Sequence, residues 1–278
     1  PADGGPAAIG HQGRHRLNEP EVSRLRRPDG CSLAYEVHGA SSAAAIILLE
    51  GLGGDMPGWR RNIPHLASAL HVVAYDFRGN GDSDEPPGPC TMATFVEDTI
   101  AMIDELGVER AHVYGQSFGG MVAQELALAY PERVRSLILA CTHCGGTHVV
   151  PAPRDPVPKT EPWRSLYAPG FPDAHPEHVA EDRRIGAGQP RHPLGGRRQW
   201  EAMQVLDTYD RLPTIVAPTL VLQGTEDRLV APGNAEVLAS RIPGAELHWL
   251  EGAGHLYHSE HAGAADAAVL DFIARRAP

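Results

Sequence analysis

Gly115-Gln116-Ser117-Phe118-Gly119 decides the reading of this sequence because of what stands on either side of it. Upstream, Ala111 to Gly115 is a short apolar run with the character of a buried strand. Downstream, Phe118 to Tyr130 carries apolar residues at helical spacing. A serine on a sharp strand-to-helix turn holds its hydroxyl outward, and glycine at both ends removes side chains that would collide with the neighbouring strand and helix. The turn also sets the hydroxyl at a helix N-terminus, whose unpaired amides and positive dipole end favour a developing negative charge. Ser117 is the candidate nucleophile.

A serine hydroxyl is a weak nucleophile at neutral pH, so it needs an adjacent base, and that base needs a third group to fix its tautomer. The sequence supplies both farther along. Pro218 to Gln223 reads as a strand, and Asp227 closes the turn after it, Gly224-Thr225-Glu226-Asp227. Glu246 to Leu250 reads as the next strand, and His255 ends the turn Glu251-Gly252-Ala253-Gly254-His255. All three residues thus follow strands, at the sheet edge where loops converge. Glu226, Asp207 and Asp210 are rival carboxylates and His258 and His261 rival imidazoles, but strand-to-turn spacing favours Asp227 and His255.

Farther out, apolar β-branched runs alternate with helical patterns, the signature of a mostly parallel α/β sheet covered by helices. Cys31 to His38 reads as an early antiparallel strand, Ala45 to Glu50 and His71 to Asp76 as buried strands, and Val134 to Ala140 as another. Helices are expected over Asn62 to Leu70, Met92 to Leu106, Asn234 to Ser240 and Ala262 to Arg275. Between residues 145 and 213 the pattern lapses into Pro, Gly, His and Arg, with short helical candidates at Glu177 to Ile185 and Gln199 to Leu206. An insertion of that length in a regular sheet sequence is functional, disordered or a small subdomain of its own. The reading divides the chain into a flexible arm over 1–28, a core over 29–144 and 214–278, and the inserted 145–213.

Bulk properties narrow the function. The net charge of -11 repels a phosphate backbone, which argues against nucleic acid as a partner. No stretch approaches the roughly 20 apolar residues that span a bilayer, so no membrane partner is expected. Four irregularly spaced cysteines make no disulfide framework and point to a cytoplasmic protein. Cys141 and Cys144 form a C-x-x-C without a second ligand pair, and Asp82, Asp84 and Glu85 lack the partners that complete a metal site; both are read as structural.

The segments Gly51-Leu52-Gly53-Gly54, Asp76-Phe77-Arg78-Gly79-Asn80-Gly81, the Ser117 turn, the Asp227 turn and Gly254-His255 together resemble the α/β-hydrolase fold superfamily, the single-domain esterases, lactonases and related hydrolases. The order Ser, Asp, His along the chain is that of the family, and the resemblance runs from about Cys31 to Arg276. It implies a mostly parallel eight-stranded sheet flanked by helices, with 145–213 as a helical cap after strand six. It also implies an oxyanion hole from the backbone N–H groups of Leu52 and Phe118, a small-molecule substrate, and neither cofactor nor metal. Oligomeric state is not legible.

One departure from the resemblance stands out: Glu50-Gly51 occupies the place where many relatives carry His-Gly. A carboxylate there opposes charge on a substrate oxygen unless it is turned away, paired or protonated. Glu50 either bonds backbone in its turn or meets substrate as a cation ligand or second acid/base. Trp59, Met121 and Leu256 are candidates for the acyl pocket or for core, and Trp163, Tyr167, Phe171, Trp200 and Met203 for the inner face of the cap. The expected chemistry is hydrolysis of an ester, lactone or thioester through an acyl-enzyme. The alternatives are carbon-carbon cleavage, elimination, cyclisation or perhydrolase chemistry on the same triad, or a small-ligand receptor with little turnover.

Overall fold

Eight strands form one sheet: β1 (Ser23–Arg26), β2 (Ser32–His38), β3 (Ala45–Leu49), β4 (His71–Tyr75), β5 (Ala111–Gln116), β6 (Val134–Ala140), β7 (Thr219–Gly224) and β8 (Glu246–Leu250). Their spatial order is β1-β2-β4-β3-β5-β6-β7-β8. The β1–β2 and β2–β4 pairs are antiparallel and every later pair is parallel. The computed structural model describes residues 21–152, 159–190 and 192–276.

β3 is buried along its whole length, as a central parallel strand covered on both faces must be. Its residues alternate between two cores. Ile47 and Leu49 face the side covered by α2 (Met92–Glu105), α3 (Phe118–Ala129) and α7 (Gly233–Arg241). Ile46 and Leu48 face the side covered by α1 (Ile63–Leu66) and α9 (Ala262–Ala274). Strand order reverses between β3 and β5, which pair in parallel with Leu49 opposite Gly115. In open α/β sheets that switch point leaves a crevice beyond the carboxyl ends of the strands. The Gly51–Gly54 turn and Ser117 both emerge there.

Helix α2 opens on a capping box in which Thr91 and Thr94 satisfy each other's amides. Phe77, Phe95 and Phe118 pack edge to face with centroids 5.1–5.6 Å apart, each pair worth about 1 kcal/mol beyond its burial. This packing pins the first residue of α3, and so the turn before it, to the core.

Two expectations need correction. The helix expected over Asn62 to Leu70 is only α1; after Leu66 the chain continues in isolated turns, with Ser68 and Ala69 bonded three residues back and Leu70 four, and the Ser68 hydroxyl donates to the His65 carbonyl. The arm expected over 1–28 takes in a strand. Residues 1–20 lie outside the described residues, but Ser23–Arg26 is β1, which adds to β2 at the sheet edge. Arginines anchor this end: Arg24 donates to the Asp82 carbonyl and Arg27 pairs with Asp98.

Asp98 is fully buried and takes a bidentate bond from Arg78 at 2.6 and 2.7 Å besides the 2.9 Å bond from Arg27. Asp98→Ala leaves the buried Arg78 guanidinium without its main partner, which costs about 3–5 kcal/mol. The expected result is a melting temperature lower by roughly 10 °C, read by differential scanning calorimetry.

Between β6 and β7 the chain forms α4 (Phe171–Ala174), α5 (Pro176–Gly188) and α6 (Gly195–Gln204), and between β8 and α9 the short α8 (Tyr257–Glu260). Both helical candidates read within 145–213 thus fall on helices. Among the described residues no helix is long and apolar enough to cross a membrane.

Candidate active site

Ser117 sits between β5 and α3 with φ 52° and ψ -114°, a left-handed conformation rare for a residue with a side chain. The turn is held tightly. The Ser117 amide donates to the Ala140 carbonyl at 2.9 Å, and the Thr142 hydroxyl donates to the Ser117 carbonyl at 2.7 Å. A Cβ at Gly115 would stand 2.3 Å from the Gly119 carbonyl oxygen, and one at Gly119 would stand 2.1 Å from that of Leu49. The two flanking glycines are therefore steric requirements of the turn. Backbone strain maintained by such surroundings is typical of sites where it serves a purpose.

His255 and Asp227 meet across 28 residues of chain. The imidazole Nδ1 lies 2.8 Å from Asp227 Oδ2, and both residues are buried. Asp227 is fixed from three further sides: its Oδ1 accepts the amides of Leu229 and Val230, and Gln223 Nε2 donates to Oδ2. Burial acts to raise the Asp227 pKa, but the His255 charge and hydrogen bond, with the two amides, outweigh it and hold the carboxyl below its ordinary value. Glu260 accepts the amides of Gly254 and Ala168, which secures the turn that carries His255.

Ser117 and His255 open onto one cavity of about 1240 Å³. It is lined by the loops at the switch point and by described residues of the 145–213 segment, Trp163, Tyr167 and Trp200 among them. The Gly51–Gly54 turn forms one wall, closed by a bond from the Gly54 amide to the Gly51 carbonyl. Gly53 has φ +72°, as position three of a type II turn requires. Leu52, between them, is 42% exposed onto the cavity.

Residues 44–189, more than half of the chain, match the family model of the alpha/beta hydrolase fold. This chain belongs to the α/β-hydrolase fold family. Relatives agree along nearly its whole length. A protein of Variovorax paradoxus named "Putative carbamate hydrolase RutD" is 31% identical, over 87% of this chain and 96% of its own. The crystal structure of a hydrolase from Pseudomonas aeruginosa PA01 superposes with a TM-score of 0.80 at 34% identity, covering 92% of this chain and 99% of that one. The enol-lactonase from Burkholderia xenovorans LB400 superposes at 0.78 with 27% identity, covering 88% and 97%.

Within this hydrolase the other candidate residues divide. Met121, Leu256 and Trp200 line the cavity, as do Trp163, Tyr167 and Met203. Trp59 does not. It is 1% exposed and packs on Tyr114 and His258, because the 3-10 turn Met56–Trp59 directs it inward. The Phe118 side chain is likewise in the core, so only its backbone is available to a substrate.

Glu50 is on the cavity wall and 6% exposed. Among the described residues its Oε2 has no hydrogen-bond partner, and its Oε1 lies 3.8 Å from His258 Nε2. That contact is not an ion pair at neutral pH. Burial, with the Asp55 and Asp76 carboxylates nearby, pushes Glu50 up to about 8 against a bond from the Gly51 backbone. Burial, with the neighbouring His255, pushes His258 down to about 3. A neutral carboxylic acid therefore faces a neutral imidazole.

The sequence reading missed the residues that hold the glycine-rich turn. Asn80 Nδ2 donates to the Gly54 carbonyl at 2.8 Å, and Gln199 Oε1 on α6 accepts the Gly53 amide at 2.7 Å. Asn80 belongs to the motif Asp76-Phe77-Arg78-Gly79-Asn80-Gly81, whereas nothing in the spacing of Gln199 links it to a turn 146 residues away. Cys141, structural by its sequence, lies beside the pair of Asp227 and His255. Its thiol, with Asp227 and His255, makes the one group of three metal-type side chains among the described residues, with ligand atoms within 4.8 Å of one another. Burial and the adjacent Asp227 push the thiol well up, so it stays protonated, and Asp227 and His255 are already bonded to each other.

Proposed function

We propose that this hydrolase cleaves an ester, lactone or thioester of a small organic molecule through an acyl-enzyme on Ser117. The observation that carries the reading is the buried 2.8 Å pairing of His255 with Asp227, opening onto the same cavity as a serine held in a strained turn. His255 takes the Ser117 proton as Oγ attacks the carbonyl carbon. The oxyanion is held by the Leu52 and Phe118 amides, and His255 returns the proton to the leaving group. Water then repeats the sequence on the acyl-enzyme and releases the acid. The 145–213 segment acts as the cap that encloses the substrate, with Trp200 and Met203 among its apolar walls. The enol-lactonase among the structural relatives, whose substrate is a cyclic ester, supports the substrate class. No cofactor enters this mechanism.

Fluorophosphonate labelling with p-nitrophenyl ester assays tests it. Covalent modification of Ser117 together with steady release of p-nitrophenol is expected. Labelling without turnover would favour the receptor reading, and absence of labelling on Ser117 would overturn the assignment.

Glu50 sets a pH limit on this mechanism. Its side chain leaves the wall one residue before Gly51, where a Cβ would lie 3.4 Å from that of Ser117. Below about pH 8 the carboxyl is neutral and does not oppose the oxyanion; above it the group ionises and does. The rate is therefore expected to fall as pH rises through about 8, and Glu50→Gln to remove that alkaline fall while keeping the neutral-pH rate within a few fold. A pH–kcat profile of the two proteins reads this directly. The same neutral acid on the wall favours a second reading, in which it donates a proton during carbon-carbon cleavage or elimination.

A further inference from the structure

We infer that Gln199, on α6 of the cap, is a positioning residue for the oxyanion hole. The inference rests on the serine-hydrolase reading, with Leu52 N–H as one of the two oxyanion donors. Gln199 is fully buried, and its Oε1 accepts the Gly53 amide at 2.7 Å. Gly53 is the residue after Leu52, and in the Gly51–Gly54 turn the Leu52–Gly53 peptide is the one that can flip between type II and type I geometry.

The bond favours the present orientation. With the Gly53 N–H toward α6, donor meets acceptor. With the peptide flipped, the Leu52 carbonyl oxygen would face Gln199 Oε1, and the side-chain amide would have to rotate within a fully buried site to bring its Nε2 donor round. The Leu52 N–H belongs to the preceding Gly51–Leu52 peptide, so Gln199 acts on it by fixing the position of the turn that carries it. The far side of the turn is held independently, by Asn80 on the Gly54 carbonyl.

The placement of Gln199 depends on how α6 is seated. The Leu194 amide donates to Glu85 Oε1 at 2.7 Å, and Arg198 Nη1 donates to the Pro86 carbonyl at 2.6 Å. Both acceptors belong to the loop after β4, so the start of α6 is bonded to the core immediately before Gln199. The helix also lines the cavity through Gly196 and Trp200. One element of the cap therefore both contacts the space for substrate and holds the turn that stabilises its transition state, so the cap is part of the catalytic apparatus as well as a cover.

The experiment compares wild type with Gln199→Met, which keeps side-chain length without an acceptor, and Gln199→Glu, which keeps a carboxyl oxygen in the same place. Two readings are taken on each: kcat and KM for p-nitrophenyl butyrate, and the inhibition constant of an alkyl trifluoromethyl ketone, whose adduct with Ser117 is an oxyanion. Removing one oxyanion donor outright costs about 10²–10³-fold, and loosening it costs less. Gln199→Met is expected to lose about 10- to 100-fold in kcat with KM changed little, and to bind the ketone more weakly in proportion. Gln199→Glu is expected to stay within a few fold of wild type on both.

Wild-type kcat and ketone affinity in Gln199→Met would overturn the inference, as would Gln199→Glu losing as much as the methionine variant even at acidic pH, where its carboxyl is protonated and carries no charge to oppose the oxyanion. Should Gln199→Met not fold, Gln199→Glu against Gln199→Ala makes the same comparison. Failure of the serine-hydrolase reading itself is distinguishable, because wild type would then neither turn over the ester nor form an adduct with the ketone.

Discussion

Ser117→Ala is expected to lower kcat for a p-nitrophenyl ester by about 10⁶-fold, with the melting temperature within a few degrees of wild type. The kinetic loss is large because in the proposed mechanism the serine is the covalent partner, with no other group in the turn to form the acyl bond. The small effect on stability follows from the contacts. The Ser117 bonds that hold the turn are made by its backbone, the amide to Ala140 and the carbonyl to Thr142, and both survive in alanine. Alanine retains the same Cβ against Gly51. Residual hydrolysis would reflect binding and oxyanion stabilisation alone. Parallel assay of steady-state turnover and thermal melting separates a catalytic from a structural role.

Asp227→Asn is expected to cost about 10⁴-fold in kcat, although it changes one atom. The environment of the side chain dictates how asparagine must sit. Oδ1 accepts two backbone amides, from Leu229 and Val230, so the new side-chain oxygen stays there and the NH₂ takes the place of Oδ2. That NH₂ then points a donor at His255 Nδ1, which forces the ring proton onto Nε2, the nitrogen that has to receive the proton from Ser117. Gln223 reports the same change. Its Nε2 now donates to Oδ2 while its Oε1 is unpartnered, and an amide flip would let it accept from the asparagine. The tautomer is directly measurable by ¹⁵N NMR of the His255 ring, which should move from protonated Nδ1 to protonated Nε2.

Much of this arrangement was legible in the sequence because its causes are local. A strand-turn-helix pattern around Gly115-Gln116-Ser117-Phe118-Gly119 needs only period and sterics, and Asp227 and His255 are each a few residues past a strand of unmistakable composition. The central strands could be read for the same reason, since a parallel sheet covered on both faces demands continuous apolar runs. What could not be read depends on long-range contact. Ser23–Arg26 has an unremarkable sequence and becomes a strand only because the β2 edge and the Asp98 and Asp82 acceptors await it. Trp59 could have faced either way, and its 3-10 turn settled the matter. The sign of the Glu50 problem was foreseeable, but its resolution by burial without a cation was not, because it requires knowing which groups surround the carboxyl. Gln199 lay inside an expected helix, and only the seating of that helix gives it a partner.

These contacts also explain how one substitution in a familiar framework can be tolerated. Under the proposed mechanism a glutamate beside the oxyanion turn is compatible with hydrolysis when it is kept neutral, and the surroundings of Glu50 favour this with a buried wall, acidic neighbours and an uncharged His258. The alkaline bound on the rate expected from that mechanism is then the acid's own ionisation.

The central claim is that a covalent bond forms between the substrate acyl group and Ser117 during turnover. Rapid mixing with p-nitrophenyl butyrate, acid quenching within the first turnovers and peptide mass spectrometry test it most directly. A single butyryl group on the peptide containing Ser117, absent from Ser117→Ala, is the predicted result. Turnover at full rate with Ser117 unmodified, or with the acyl group carried by another residue, would contradict it.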